Sequence, residues 1–232
     1  QMIKYIVIYF LSFFDHFHQL KIINFLKKKG LDNFKVVFDV GAHKGETIKI
    51  FLKNFSIDKI YSFEPSPINF EILNKNVKKI KKKKQLTKIH LENIALGNQT
   101  TKKTINHFTE SSSSSLKEIN QEADYFKKKM RILNISKNKS IIDFFEINVV
   151  KSSEYLEQKN INRVNFLKID TEGYEHEVLS GFQDKISSIE VIMFEHHYDN
   201  MLKKNYTFSD INDFLKKNKF KMVYKLKMPF RK

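Results

Sequence analysis

Three acidic residues stand where predicted strands end, in positions from which they could act on one ligand. Asp39 lies at the tip of the apolar run 36–40, Glu64 follows the predicted strand 59–63, and Asp170 follows the predicted strand 164–169. Apolar runs of this length are typical of buried parallel strands. Because the carboxyl ends of such strands converge at one crevice of an open α/β sheet, we expect the three carboxylates to lie close together.

A glycine-spaced turn follows the first of these runs. Gly41 and Gly45 allow a tight turn and a close approach of the backbone to a ligand, and Thr47 opens a helix. Asp39 would repel a pyrophosphate but would favour a cationic group. Glu64 comes about 20 residues after the glycine turn, a distance at which a carboxylate can bind a ribose diol. A nucleoside that carries positive charge and no phosphate fits these residues, and S-adenosylmethionine is such a ligand.

Strands and helices alternate along most of the chain. The predicted strands cover residues 36–40, 59–63, 89–96, 103–107, 147–150, 164–169, 189–194 and 220–226. Predicted helices begin at Thr47 and cover 68–79, 116–130, 154–158 (capped by Ser152 or Ser153), 176–182 and 209–218 (capped by Ser209). This alternation predicts a doubly wound, largely parallel sheet with one ligand crevice.

The N-terminal segment is apolar at helical spacing. Lys4 and Asp15 leave its apolar stretch shorter than the about 20 residues that a membrane-spanning helix needs. We expect an amphipathic helical extension over residues 1–30, followed by one domain over 31–232. Two alternatives stay open for the extension: packing on the domain or on a second copy through residues 2–26, and peripheral contact with a membrane. The expected location is the cytoplasm or the surface of a membrane.

The chain has a formal charge of +16 and no cysteine. The absence of cysteine excludes disulfides, thiolate metal sites and cysteine nucleophiles. The positive charge is nearly all lysine, whereas recognition of phosphates and bases favours arginine, which occurs only at Arg131, Arg163 and Arg231. We therefore expect a solvated lysine surface and no nucleic-acid partner. A nucleic-acid methyltransferase or binder that uses this basic surface is the alternative.

Four motifs together resemble the FkbM family of S-adenosylmethionine-dependent methyltransferases. They are Phe-Asp-Val-Gly-Ala-His-Lys-Gly at 38–45, Phe-Glu-Pro-Ser-Pro at 63–67, Asn-Ile-Ala-Leu-Gly at 93–97 and Leu-Lys-Ile-Asp-Thr-Glu-Gly-Tyr-Glu at 167–175. The resemblance covers roughly residues 35 to 226 and implies a class I methyltransferase fold, a Rossmann-like and mostly parallel sheet. It also implies methyl transfer, usually to oxygen, with a glycan, glycolipid or secondary metabolite as the acceptor.

The resemblance assigns cofactor-binding roles to residues of three loops. Those at the methionine end of S-adenosylmethionine are Asp39, Gly41, Ala42, His43, Gly45 and Thr47. Those at the ribose and adenine are Glu64, Pro65, Ser66, Asn93, Ala95 and Leu96. Asp170 is placed beside the transferred methyl and Glu172 in the acceptor cleft. Ser114, Ser115 and Leu116 form either a cofactor or acceptor loop or a mobile surface loop.

A hydroxyl acceptor needs a group that takes its proton. His196 follows the predicted strand 189–194, and we expect it to act with Asp170 or Glu172 as the base or to orient the base. His43 and His197 are further candidates, and either paired histidine could instead stabilise a strand end through hydrogen bonds. Asp170, Glu172, Glu195 and His196 also have the chemistry of hard-metal ligands. We favour a site without a metal.

Overall fold

The computed structural model describes residues 19–81, 86–108, 114–116, 141–196 and 203–226. Its strands are β1 (Asn33–Val40), β2 (Ser56–Phe63), β3 (Lys88–Glu92), β4 (Ala95–Gly97), β5 (Thr101–Phe108), β6 (Ser114–Ser115), β7 (Ile141–Lys151), β8 (Val164–Ile169) and β9 (Ile189–Phe194). Its helices are α1 (residues 19–28), α2 (Glu46–Asn54), α3 (Pro67–Lys81), α4 (Ser152–Gln158), α5 (Glu175–Gly181) and α6 (Phe208–Lys217). A 3₁₀ helix covers Gln183–Ser188.

Five parallel strands form the central sheet in the order β3-β2-β1-β8-β9. The strand order reverses between β1 and β8, so a crevice opens between their carboxyl ends. The last four residues of β1 and of β2 are buried, which explains why both strands are apolar at the end that reaches the crevice. The predicted α/β fold with a mostly parallel central sheet is confirmed.

A second, smaller sheet has the order β4-β7-β5-β6, with β4 parallel to β7 and β5 antiparallel to both β7 and β6. The predicted strand 89–96 is therefore wrong as a single element, because β3 and β4 lie in different sheets. Asn93 stands between them, and its side-chain amide donates to the carbonyls of Glu64 at 2.8 Å and Pro65 at 3.1 Å. These bonds hold the chain at the crevice while it passes from one sheet to the other.

Buried side chains cover both faces of the central sheet. Phe38 and Val40 of β1 pack in one cluster, whereas Val37 packs in the other with Phe51 of α2. Successive strand residues point to opposite faces, so β1 contributes to both clusters. Ile23 and Leu26 of α1 are buried in the cluster that contains Val37, which places α1 on the same face of the sheet as α2.

Two predicted helix caps are wrong. The cap of α6 is Thr207, not Ser209: the Thr207 side chain accepts from Asp210 N at 3.3 Å, and Asp210 Oδ2 accepts from Thr207 N at 2.7 Å. This reciprocal capping box starts the helix earlier than the sequence indicated. Ser152 and Ser153 lie inside α4, whose N-cap is Lys151. Ser152 is buried, and its hydroxyl donates to the Val178 carbonyl at 2.9 Å.

The predicted strand 220–226 is also wrong, since these residues form no strand ladder with any described part of the chain. Met222 and Val223 are exposed, so the segment does not extend the sheet at β9. Its Tyr224 ring instead stacks on Phe25 of α1 at 4.4 Å between ring centroids. The prediction for 117–130 and the apolar residues 2–14 fall outside the described residues. Over the ranges that are described, every helix is too short or too polar to cross a bilayer.

Candidate functional site

A cavity of about 440 Å³ crosses the carboxyl end of the central sheet. The sequence-predicted residues that line it are Gly41, Ala42, His43, Thr47, Glu64, Pro65, Ala95, Leu96, Asp170 and Glu172. Leu116, which directly follows β6, lines it as well. Within the described residues, the predicted ones that do not line it are Asp39, Gly45, Ser66, Asn93 and His196. Most of the predicted residues therefore line one cavity, and the others lie outside its lining.

The glycine turn after β1 is held against the ends of two strands. Gly41 has a φ of 82°, and a Cβ there would lie 1.8 Å from the carbonyl oxygen of Asp170. The amide hydrogens of Gly41 and Ala42 both bond to the carbonyl of Phe63, at 3.0 and 2.9 Å. Only glycine permits this conformation and this close approach. The turn thus joins the ends of β1, β2 and β8 at the floor of the cavity.

Glu64 presents a buried carboxylate to the cavity, since it is 4% exposed. Its Oε2 accepts from the backbone N–H of His43 at 2.8 Å, and its Oε1 accepts from that of Ser66 at 2.9 Å. Burial raises the pKa of Glu64 to about 7, although these two backbone donors oppose the shift. Ser66 and Asn93 therefore act on the cavity indirectly: Ser66 fixes the carboxylate, and Asn93 fixes the Glu64 backbone.

Asp39 does not reach the cavity because Lys168 lies in front of it. Asp39 is 1% exposed, and its Oδ1 is 3.2 Å from Lys168 Nζ. Lys168 Nζ also donates to the Gly41 carbonyl at 3.2 Å and lies 3.4 Å from Asp170 Oδ2. Burial opposes charge on Lys168, but the carboxylates of Asp39 and Asp170 outweigh it and raise the Lys168 pKa. A charged ammonium of the protein itself therefore occupies the position next to Asp39.

Lys168 was not among the residues predicted from the sequence. The available signal was its position in the strand Val164–Ile169, whose other members are mostly apolar and mostly buried. A lysine inside a buried strand requires a carboxylate partner. The partner is Asp39, which is the residue in register with Lys168 on β1.

Glu175 is the third buried carboxylate, after Asp39 and Glu64, and the sequence did not reveal it. Its Oε1 accepts from Thr171 N at 3.3 Å, Thr171 Oγ1 at 3.0 Å and Gly173 N at 2.9 Å. Its Oε2 accepts a hydrogen bond from the Tyr206 hydroxyl. Glu175 therefore fixes the loop that carries Glu172, whose φ of 51° lies in the left-handed region.

The predicted catalytic residues lie in two different environments. Asp170 and Glu172 line the cavity together with Glu195. His196 instead lies beside two aromatic rings, with centroid distances of 6.0 Å to Tyr206 and 5.7 Å to Phe208. Among the described residues, no three histidine or acidic side chains are arranged to hold a metal ion. His197 is outside the described residues.

Comparison with known proteins gives one family and one solved structure. Residues 39–222 match the family described as the Methyltransferase FkbM domain. The chain is similar, at 18% identity and a TM-score of 0.42, to the crystal structure of methyltransferase FkbM from Methylobacillus flagellatus KT. That match covers 67% of this chain and 30% of the other, so this chain spans about a third of that protein's length. No curated protein sequence matches this chain.

Proposed function

Because the chain belongs to the FkbM methyltransferase family, we propose that it transfers a methyl group from S-adenosylmethionine to a hydroxyl oxygen of a glycan, a glycolipid or a secondary metabolite. The observation that carries the proposal is the position of Glu64. Its buried carboxylate lines a cavity at the point where the strand order of a parallel sheet reverses. That is the place at which α/β folds bind nucleosides.

The residues present fit S-adenosylmethionine. The cavity volume of about 440 Å³ lies within the range of small-ligand sites. Glu64 would accept hydrogen bonds from the ribose hydroxyls, the loop from Gly41 to His43 would hold the methionine end, and Ala95 with Leu96 would contact the adenine. When bound, the cofactor supplies a methyl group that its sulfonium activates towards substitution.

The residues of the chain would act mainly by positioning and by proton removal. In-line substitution at an activated carbon gains much of its acceleration from the alignment of the two reactants. Asp170 and Glu172 line the cavity, so their carboxylates are the first candidates to accept the hydroxyl proton. His196 remains a candidate for orienting that base. In its support, His196 directly follows Glu195, which lines the cavity.

The carboxylates of the cavity argue against a nucleic-acid acceptor. Asp170, Glu172 and Glu195 all line it, and each would repel a phosphate close by. These carboxylates outnumber Lys168, which is the one lysine among the described residues that line the cavity. RNA binding that persists as salt is raised, together with transfer of label from S-adenosylmethionine to RNA, would favour the alternative function.

The test is calorimetric titration with S-adenosylhomocysteine, followed by transfer of labelled methyl to fractionated glycans, lipids and small metabolites. Glu64→Gln should weaken binding by roughly 10-fold or more, because a charged acceptor of two hydroxyl groups is lost. Glu71→Gln is the matched control, since this carboxylate lies on α3 with its side chain 75% exposed. Equal affinity in the wild type and Glu64→Gln would contradict the proposal.

A further inference from the structure

Helix α1 lines the cavity although it lies outside the part of the chain that matches the family. Gln19, Ile22 and Ile23 contribute to the lining, whereas the family match begins at residue 39. The helix is fixed in this position by two contacts. Ile23 and Leu26 are buried against the core, and the Phe25 ring stacks on Tyr224. α1 is thus a firmly packed wall of the cavity.

The residues that line the cavity lie on both sides of the junction of β1 and β8, and we call the two parts that they bound its arms. One arm is bounded by Glu64 and Pro65 after β2 and by Leu96 of β4. The other arm is bounded by α1, by α2 and by the end of β9, where Met193 and Glu195 lie. In the central sheet β2 and β9 lie on opposite sides of the β1–β8 junction, so the two arms lie on opposite sides of it as well. A nucleoside bound by Glu64 would occupy the first arm and leave the second for the acceptor.

The second arm combines apolar walls with acidic groups. Ile22 of α1, Ile50 of α2 and Met193 of β9 line it with partly buried side chains. Contact with a ligand would remove more of their apolar surface from water and so favour binding of an apolar group. Glu195 and Glu172 line the cavity nearby and can accept hydrogen bonds from hydroxyl groups. The carboxylates of the lining outnumber Lys168, its one lysine among the described residues, so the cavity disfavours anions.

We propose that α1 forms the wall of the cavity on the acceptor side and that Ile22 determines which acceptor is bound. The acceptor is an uncharged hydroxyl compound that carries an apolar group. This group packs between Ile22, Ile50 and Met193. The inference rests on the proposed function, because it assigns the first arm to the cofactor. It goes further in naming the chemical class of the acceptor and in giving a role to a helix outside the family match.

Calorimetry with three probes tests this assignment: n-octyl β-D-glucoside below its micelle-forming concentration, glucose, and n-octyl phosphate. Each is titrated into the full chain with and without saturating S-adenosylhomocysteine. We expect n-octyl β-D-glucoside to bind at least about 10-fold more tightly than glucose, because only the former fills the apolar arm. We expect it to bind more tightly than n-octyl phosphate as well, because the carboxylates repel the phosphate.

Ile22→Ser should weaken binding of n-octyl β-D-glucoside by about 5- to 10-fold and leave that of S-adenosylhomocysteine unchanged. Leu20→Ser is the matched control: Leu20 lies on the same helix, is 38% exposed and does not line the cavity. We expect it to bind both ligands as the wild type does. Ile22→Phe, which stays apolar but narrows the arm, should also weaken binding of n-octyl β-D-glucoside and serves if Ile22→Ser does not fold.

Three results would overturn the inference: no binding of n-octyl β-D-glucoside, equal affinity for glucose or n-octyl phosphate, or the same affinity in the wild type and both Ile22 variants. The proposed function fails separately, if S-adenosylhomocysteine does not bind the wild type. In that case the titrations without S-adenosylhomocysteine still show whether Ile22 contacts the octyl chain. The two failures are therefore distinguishable.

Discussion

Asp39 and Lys168 stand in register on neighbouring parallel strands and form a buried ion pair, with 3.2 Å between Asp39 Oδ1 and Lys168 Nζ. The sequence had led us to expect that Asp39 attracts a cationic ligand directly. In the structure Lys168 separates Asp39 from the cavity and binds the Gly41 carbonyl as well. Any effect of Asp39 on a cofactor would therefore pass through Lys168 and the turn that Lys168 holds.

Lys168→Met should lower the free energy of unfolding by about 3 kcal/mol, because it leaves the Asp39 carboxylate buried without a charge partner. Asp39→Asn should also destabilise the protein. The double variant should lose less stability than the sum of the two single losses, since no fully buried carboxylate is then left without its ammonium partner. Urea unfolding of the four proteins measures this coupling, and strictly additive costs would show that the pair is not coupled.

Binding of S-adenosylhomocysteine should strengthen as pH rises through 7. The pKa of Glu64 is raised to about 7 by burial, and only the ionised carboxylate can accept bonds from both ribose hydroxyls. Its ionised fraction rises about 10-fold between pH 6 and pH 8, so affinity should rise by a similar factor. Titration at several pH values measures it. Glu64→Gln is the control and should lose this dependence; a wild-type affinity that stays constant would contradict the prediction.

Glu64 should also make the protein less stable at higher pH. A carboxyl whose pKa is higher in the folded than in the unfolded chain contributes most stability below its unfolded value of 4.5 and loses it as pH rises through 7. We therefore compare the urea midpoint of Glu64→Gln with that of the wild type. The midpoint of the variant minus that of the wild type should be larger at pH 8 than at pH 4.5. The same difference at both pH values would mean that Glu64 is not held in its neutral form.

Gly41→Ala should destabilise the protein by about 3 kcal/mol or more and abolish binding of S-adenosylhomocysteine. The added Cβ would meet the Asp170 carbonyl at 1.8 Å and force the turn away from β8. Gly30→Ala is a matched control, because Gly30 also has a positive φ, of 70°, but an added Cβ would meet no atom within 4 Å among the described residues, its own chain neighbours apart. We expect it to cost only the backbone strain, about 1 kcal/mol. Thermal unfolding and calorimetry separate the two cases.

Tyr206→Phe should lower the free energy of unfolding by about 1–2 kcal/mol, because it removes the hydroxyl that donates to the buried Glu175 carboxylate. Tyr224→Phe is the control: Tyr224 is 39% exposed and contacts Phe25 through its ring. It should change stability by less than about 0.5 kcal/mol. Equal effects in the two variants would mean that the Tyr206 hydroxyl does not stabilise the loop around Glu172.

The elements that the sequence predicted best are those specified by local signals. The bounds of β8 and β9 agree with the predicted strands to the residue, because each is a mostly apolar segment between polar or turn-forming residues. Contacts between distant segments explain the errors. The break between β3 and β4 depends on the bonds from Asn93 to Glu64 and Pro65, and no local pattern marks it.

The same distinction holds for the candidate site. Gly41 and Glu64 could be found because turn chemistry and strand ends are visible in a short window of sequence. For Lys168 the strand context gave a signal but not the partner, and Glu175 gave none, because a charged residue in a motif looks the same whether it faces a ligand or is buried. Their functions depend on Asp39, which is 129 residues away from Lys168, and on Tyr206, which is 31 residues away from Glu175.

The stack of Phe25 on Tyr224 has a consequence for biosynthesis. The two rings are about 200 residues apart in the chain, and contacts of such high sequence separation form late in folding. While a ribosome still holds Tyr224, α1 lacks one of the contacts that keep it against the cavity. The nascent protein would then carry the half that we propose to bind the nucleoside before the proposed acceptor side is complete, and full competence would come only after Tyr224 has left the ribosome.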